Sequence, residues 1–113
     1  MCNNIKPLTI RDEAFNLCKD VFKDKITDCF LYGSYARGDY TPDSDVDIVM
    51  IVDCNFAEIN LFRREISCIN SDLSLKYDVT VSITVQPKAL FEQYSDILPF
   101  YTNIKKEGIR YAV

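Results

Sequence analysis

The sequence predicts an α/β (α+β) domain in which a small mixed sheet is flanked by helices. Apolar residues alternate between helical spacing and strand-like spacing along the chain. Three short strand-like runs are separated by helical stretches, the pattern of a layered α/β or α+β unit. The link from Gly33 to Asp45 is barely long enough for a parallel crossover, so a mixed sheet is expected rather than a parallel one. With 113 residues, 48% of them hydrophobic and 27% charged, the chain suits one globular domain over residues 1–113.

Thr9 followed by Asp12 resembles a capping box, with Asp in place of the usual Glu, and is expected to start the first helix. Ala14, Phe15, Leu17, Cys18, Val21 and Phe22 carry it at helical spacing to about Lys23. Ile26 to Tyr32 reads as a strand ending at Gly33, and Ser34 to Arg37 as a short helical turn. Thr41-Pro42-Asp43 is a loop. Val46 to Val52 is apolar enough for a strand buried on both faces.

Asn55 can cap a helix running to about Asp72, with Ile59, Phe62, Ile66, Ile69 and Leu73 as its inward stripe. Tyr77 to Val85 alternates, setting Val79, Val81, Ile83 and Val85 against Asp78, Thr80, Ser82 and Thr84. Pro87 is expected as the first residue of another helix carrying Leu90, Phe91 and Tyr94. A last helix from about Pro99 should stop at Gly108, before an extended tail from Ile109 to Val113.

Composition removes several classes of function. A net charge of −4, with basic residues scattered, argues against direct nucleic-acid binding, which runs on Lys and Arg neutralising phosphates. Arg63-Arg64 and Lys105-Lys106 read as solvated helix faces. With no histidine, histidine-based acid–base or nucleophilic chemistry is excluded. Cys2, Cys18, Cys29, Cys54 and Cys68 are odd in number and lack a CxxC spacing, so reduced thiols in a cytoplasmic protein are expected. The opening MCNNIKPLTI has no signal-like apolar region, and no apolar run approaches a membrane span.

The chemistry lies in GSYARGDYTPDSDVDI, from Gly33 to Ile48. Asp45 and Asp47 leave the same strand face with Cα atoms about 6.6 Å apart, at ~3.3 Å per residue. If the Asp78 strand pairs alongside, its carboxylate can face the same cleft. Three such groups could converge on two cations ~3.5–4 Å apart, the spacing used for in-line phosphoryl transfer. Oxygen-only ligands favour Mg²⁺ or Mn²⁺ over zinc. Gly33 permits close backbone approach, and Ser34 starts a turn whose free N–H groups favour an anion. Arg37 could reach phosphates or pair with Asp39 or Asp43. Tyr32, Tyr35 and Tyr40 surround the loop and are expected to pack rather than stack on a base.

GSYARGDYTPDSDVDIVM resembles the signature of the DNA polymerase β-like nucleotidyltransferases: Gly-Ser, a short spacer, then Asp-x-Asp. Arg37-Gly38 and Ser44-Asp45 are most similar to the minimal nucleotidyltransferases, the antitoxin half of HEPN–MNT toxin–antitoxin pairs. The resemblance extends over essentially the whole chain, through KYDVTV to the closing NIKKEGIRY. It implies a polymerase β palm-like fold in which Gly33 and Ser34 hold the triphosphate, and Asp45 and Asp47 ligate Mg²⁺. It also implies that Asp78 ligates the metal nearer the acceptor and helps accept the hydroxyl proton.

The function so implied is transfer of AMP from ATP to a hydroxyl, that of a tyrosine on a partner HEPN toxin, with which the chain could form a hetero-oligomer. A small-molecule nucleotidyltransferase of the aminoglycoside-modifying type is the alternative, and would need a partner chain to complete its acceptor pocket. A non-catalytic module that neutralises its partner by contact is the third reading.

Overall fold

The computed structural model describes residues 6–111; Cys2 and the last two residues of the expected tail lie outside them. The first helix, α1 (Pro7–Phe22), starts two residues before the expected Thr9 cap. Pro7 explains this, because its fixed φ suits the first helical position and its missing N–H would have had no acceptor there. A short 3₁₀ turn (Lys23–Lys25) leads into β1 (Ile26–Tyr32), then α2 (Ser34–Arg37) and β2 (Val46–Val52), with the bounds the sequence predicts.

The single helix expected after Asn55 is two: α3 (Phe56–Asn60) and α4 (Arg63–Tyr77). Asn55 does cap α3, its side chain accepting from the Glu58 N–H while Glu58 accepts from the Asn55 N–H. The next strand, β3 (Val81–Pro87), begins four residues after the expected Tyr77. Helical spacing wins there, since Ile66, Ile69 and Leu73 are buried along α4 and the Tyr77 hydroxyl donates to Glu13 of α1. Pro87, expected as the first helical residue, is instead the extended last residue of β3, one position before α5 (Lys88–Tyr94); α6 (Pro99–Glu107) stops at Gly108 as expected. The tail supplies a further strand, β4 (Ile109–Arg110).

Among the described residues these strands form one mixed sheet in the order β3-β2-β1-β4, antiparallel at β1–β2 and β1–β4 and parallel at β2–β3. One face packs on α1 and α4 through Cys29, Leu31, Val46, Ile48, Met50, Val81 and Ile83. Burial of a side chain such as Ile48, which has no exposed surface, contributes about 1.5–3 kcal/mol. On the other face Phe30, Val49 and Ile51 meet Tyr101 and Ile104 of α6, with Leu90 and Phe91 of α5 alongside. That second cover leaves the N-terminal end of β2 open, and the Asp pair lies there. No described helix is long and apolar enough to cross a membrane.

The four cysteines among the described residues are free. Burial pushes the Cys18 and Cys29 thiols up to about 12, so both behave as small apolar core groups. Arg63, Arg64, Lys105 and Lys106 are exposed, as solvated helix faces should be.

Candidate active site

The turn at Thr41–Ser44 delivers the chain to the head of β2. The Ser44 Oγ accepts from the Thr41 N–H at 2.8 Å, and the Ser44 N–H donates to the Thr41 carbonyl at 3.0 Å. Asp45 then stands exposed before the strand, and Asp47 is half-buried within it. Both share the face of Val49 and Ile51 by the two-residue repeat of a strand.

Burial raises the Asp47 carboxyl above its ordinary value, the neighbouring Asp45 charge adds to the effect, and Arg37 opposes it. The charged form of Asp47 is therefore held at a cost that a nearby cation would relieve. Oxygen donors alone, with neither His nor thiolate between them, fit a hard divalent ion.

Gly33 meets Asp47 directly. It has φ of +76°, and a Cβ placed on it would lie 2.5 Å from one Asp47 carboxylate oxygen. Any side chain would therefore be strained by the backbone and would collide with Asp47. After it, the carbonyl of Gly33 accepts from the N–H groups of Ala36 and Arg37, and Gly38 closes the turn in the left-handed region. The N–H groups of Ser34 and Tyr35, at the start of the turn, have no acceptor within it. The start of the turn thus abuts the Asp47 carboxylate.

Arg37 is exposed and pairs with Asp39 at 3.2 Å and with Glu107 at the end of α6 at 3.6 Å. The pairing with Asp39 was foreseeable; Glu107, far away in sequence, was not. Tyr35 is buried and stacks on Tyr40, ring centroids 4.5 Å apart, while Tyr32 meets the edge of Phe100. Each of the three has an aromatic neighbour, and Tyr40 keeps more than half of its surface exposed.

Asp78 does not join the site. It caps α4 in a left-handed conformation, φ 52°, exposed at the end of a helix that covers the opposite face of the sheet. The expected strand pairing, on which its convergence with Asp45 and Asp47 depended, starts only at Val81. Among the described residues no group of three or more His, Cys, Asp or Glu is placed to hold a metal ion. The position beside Asp47 belongs instead to Ser82 on one flank and Tyr32 on the other. Ser82 is in the polar set of the alternation, but its register against β2 is not written in the sequence.

A family model described as a nucleotidyltransferase domain matches residues 12–111. A relative from Methanocaldococcus jannaschii, provisionally named a protein adenylyltransferase, is 35% identical over 85% of this chain and 88% of its own length. A toxin–antitoxin crystal structure with AMP-PNP contains a chain that superposes with a TM-score of 0.59 at 15% identity, covering 91% of this chain and 73% of that one. A structure of tri-AMPylated Shewanella oneidensis HEPN toxin in complex with MNT antitoxin gives a TM-score of 0.53 at 14% identity, covering 96% and 74%. At those identities the structural matches establish a shared fold.

Proposed function

The chain belongs to the nucleotidyltransferase domain family and is a nucleotidyltransferase, and from that premise we propose that it transfers AMP from ATP to a tyrosine hydroxyl of a partner HEPN toxin and so acts as the antitoxin. The observation that carries this reading is the seating of the Gly33-Ser34 turn against the Asp47 carboxylate. It supports a reading in which one substrate meets both the turn, through its phosphates, and the Asp pair, through a cation. The protein acceptor is supported by the name of the relative and by the toxin–antitoxin complexes among the structures of the same fold.

In this reading the N–H groups of the turn and the Ser34 hydroxyl bind the triphosphate. Asp45 and Asp47 hold Mg²⁺ or Mn²⁺, which when bound supplies charge neutralisation at the phosphates. Arg37, held beside the turn by Asp39 and Glu107, offers the phosphates the guanidinium donors those pairs leave. The acceptor oxygen attacks the α-phosphorus, the bond from that phosphorus to the β-bridging oxygen breaks, and pyrophosphate leaves. The proton of the acceptor passes to solvent.

The test is intact-mass spectrometry of a HEPN toxin incubated with the enzyme, Mg²⁺ and ATP. The toxin should gain the mass of AMP at a tyrosine, and Asp45→Asn/Asp47→Asn should abolish the gain. A γ-phosphate adduct would make the protein a kinase. Neutralisation of the toxin by the double variant, without any mass change, would replace transfer with binding alone. AMP on an aminoglycoside but not on the toxin would turn the reading to small-molecule chemistry.

A further inference from the structure

We infer that this site holds a single divalent cation with its nucleotide, because Ser82 fills the lateral position from which a third carboxylate would complete a two-cation centre. The inference rests on the proposed function and specifies the stoichiometry of the same site.

The strand register carries the argument. Tyr32, Asp47 and Ser82 form one row across β1, β2 and β3. Neighbouring strands lie about 4.8 Å apart, so the Ser82 side chain leaves the sheet next to that of Asp47. One step earlier the Val46 N–H donates to the Thr80 carbonyl at 2.8 Å, which brings Thr80 alongside Asp45. Each carboxylate therefore has a neutral hydroxyl on its β3 flank. On the β1 flank stands Tyr32. Asp39 and Glu107 are engaged with Arg37, and Asp78 is exposed at the end of α4.

The supply of anionic protein ligands beside Asp45 and Asp47 decides how many ions such a site can hold. A second divalent ion has no further anionic protein ligand to offset it, and a serine hydroxyl brings no charge. Mg²⁺ is commonly held by one or two carboxylates together with substrate phosphates, which is what Asp45, Asp47 and a triphosphate offer. A second ion ~3.5–4 Å from the first, on the side of the attacking oxygen, would lie away from most of the triphosphate and would need a protein carboxylate that neither Ser82 nor Thr80 supplies.

The ratio of protein-bound Mn²⁺ to protein-bound nucleotide tests this, measured by equilibrium dialysis against Mn²⁺ and α,β-methylene-ATP. Wild type and Ser82→Ala should both give one ion per nucleotide. Ser82→Asp should give two. Thr80→Asp, at an exposed position outside the strand, repeats the test should Ser82→Asp fail to fold by circular dichroism. Two ions per nucleotide in wild type would overturn the inference, as would one ion in every folded Asp variant. Failure of wild type to retain nucleotide or Mn²⁺ would remove the proposed function itself, and this inference with it.

Discussion

Gly33 does two things that no other residue can do at its position. Its φ of +76° lies where side-chain-bearing residues are strained, and its Cα hydrogen faces an Asp47 oxygen at a distance that leaves no room for a methyl group. Gly33→Ala should therefore cost about 1–3 kcal/mol in chemical denaturation and displace Asp47. A displacement on the order of 1 Å can lower a rate by about 100-fold. Wild-type stability and rate in that variant would mean that the turn and the carboxylate move independently. Asp47 itself carries the opposite balance. Its carboxyl titrates above the ordinary 3.8 when folded, so the folded chain binds that proton more tightly than the unfolded chain does. Its contribution to stability is most favourable below the unfolded value and is lost as pH rises through the folded one. At neutral pH it is a cost, so Asp47→Asn should melt higher than wild type in the absence of metal. That gain should shrink as the pH falls toward 3.8. Calorimetry of both proteins at neutral and acid pH measures it, and a lower melting temperature at neutral pH would contradict the assigned burial and charge crowding.

The elements show where sequence reasoning succeeds and where it must fail. β1, α2 and β2 were legible because strong local signals bound them: an apolar run into Gly33, the Gly33–Gly38 turn, and an apolar run after Asp47. The α4–β3 boundary was not, because Tyr77 to Val85 alternates well enough to pass for a strand while its first residue also continues the stripe of α4. That ambiguity cost the site one of its expected carboxylates. Had the strand begun at Tyr77, Asp78 would have been a ladder residue; as a left-handed helix cap it faces solvent. Strand order and register come from tertiary pairing, so neither Ser82 beside Asp47 nor β4 beside β1 could be read from residues alone. β4 is secured by contacts distant in sequence. Arg11, nearly buried, donates to the carbonyls of Ile109 and Arg110 at 3.2 and 3.4 Å, and Phe15 stacks on Tyr111. Gly108 lets the chain pass from α6 into that strand. A Cβ there would lie 2.5 Å from the Ile104 carbonyl oxygen and 3.0 Å from the Phe30 ring. Gly108→Ala should destabilise the protein by about 1–3 kcal/mol through crowding alone, read from the urea midpoint. Asn55→Ala, which removes the α3 cap, should cost about 1 kcal/mol and leave nucleotide binding unchanged, because that cap lies beyond the far end of β2 from the Asp pair.

At the scale of the whole molecule, one sheet separates two tasks. The face under α1 and α4 is sealed by apolar packing, whereas the face under α5 and α6 is sealed only in part, ending where Asp45 and Asp47 emerge. A net charge of −4 gives the protein little general attraction for a triphosphate, so nucleotide should bind with its cation or hardly at all. In the proposed reading Mg²⁺ with ATP engages only the folded state, and ligand at about 100 times its dissociation constant adds ~2.7 kcal/mol to stability. In a domain of about 100 residues each kcal/mol raises the melting temperature by roughly 4–8 °C. Differential scanning fluorimetry should therefore show a rise of about 10 °C or more with Mg²⁺ and saturating ATP. Addition of EDTA should remove most of it, and Asp45→Asn/Asp47→Asn should be nearly unresponsive. A full shift in the double variant would place the nucleotide somewhere other than the head of β2. A full shift in wild type with EDTA present would mean that the turn at Gly33 and Arg37 hold the phosphates without a cation's help.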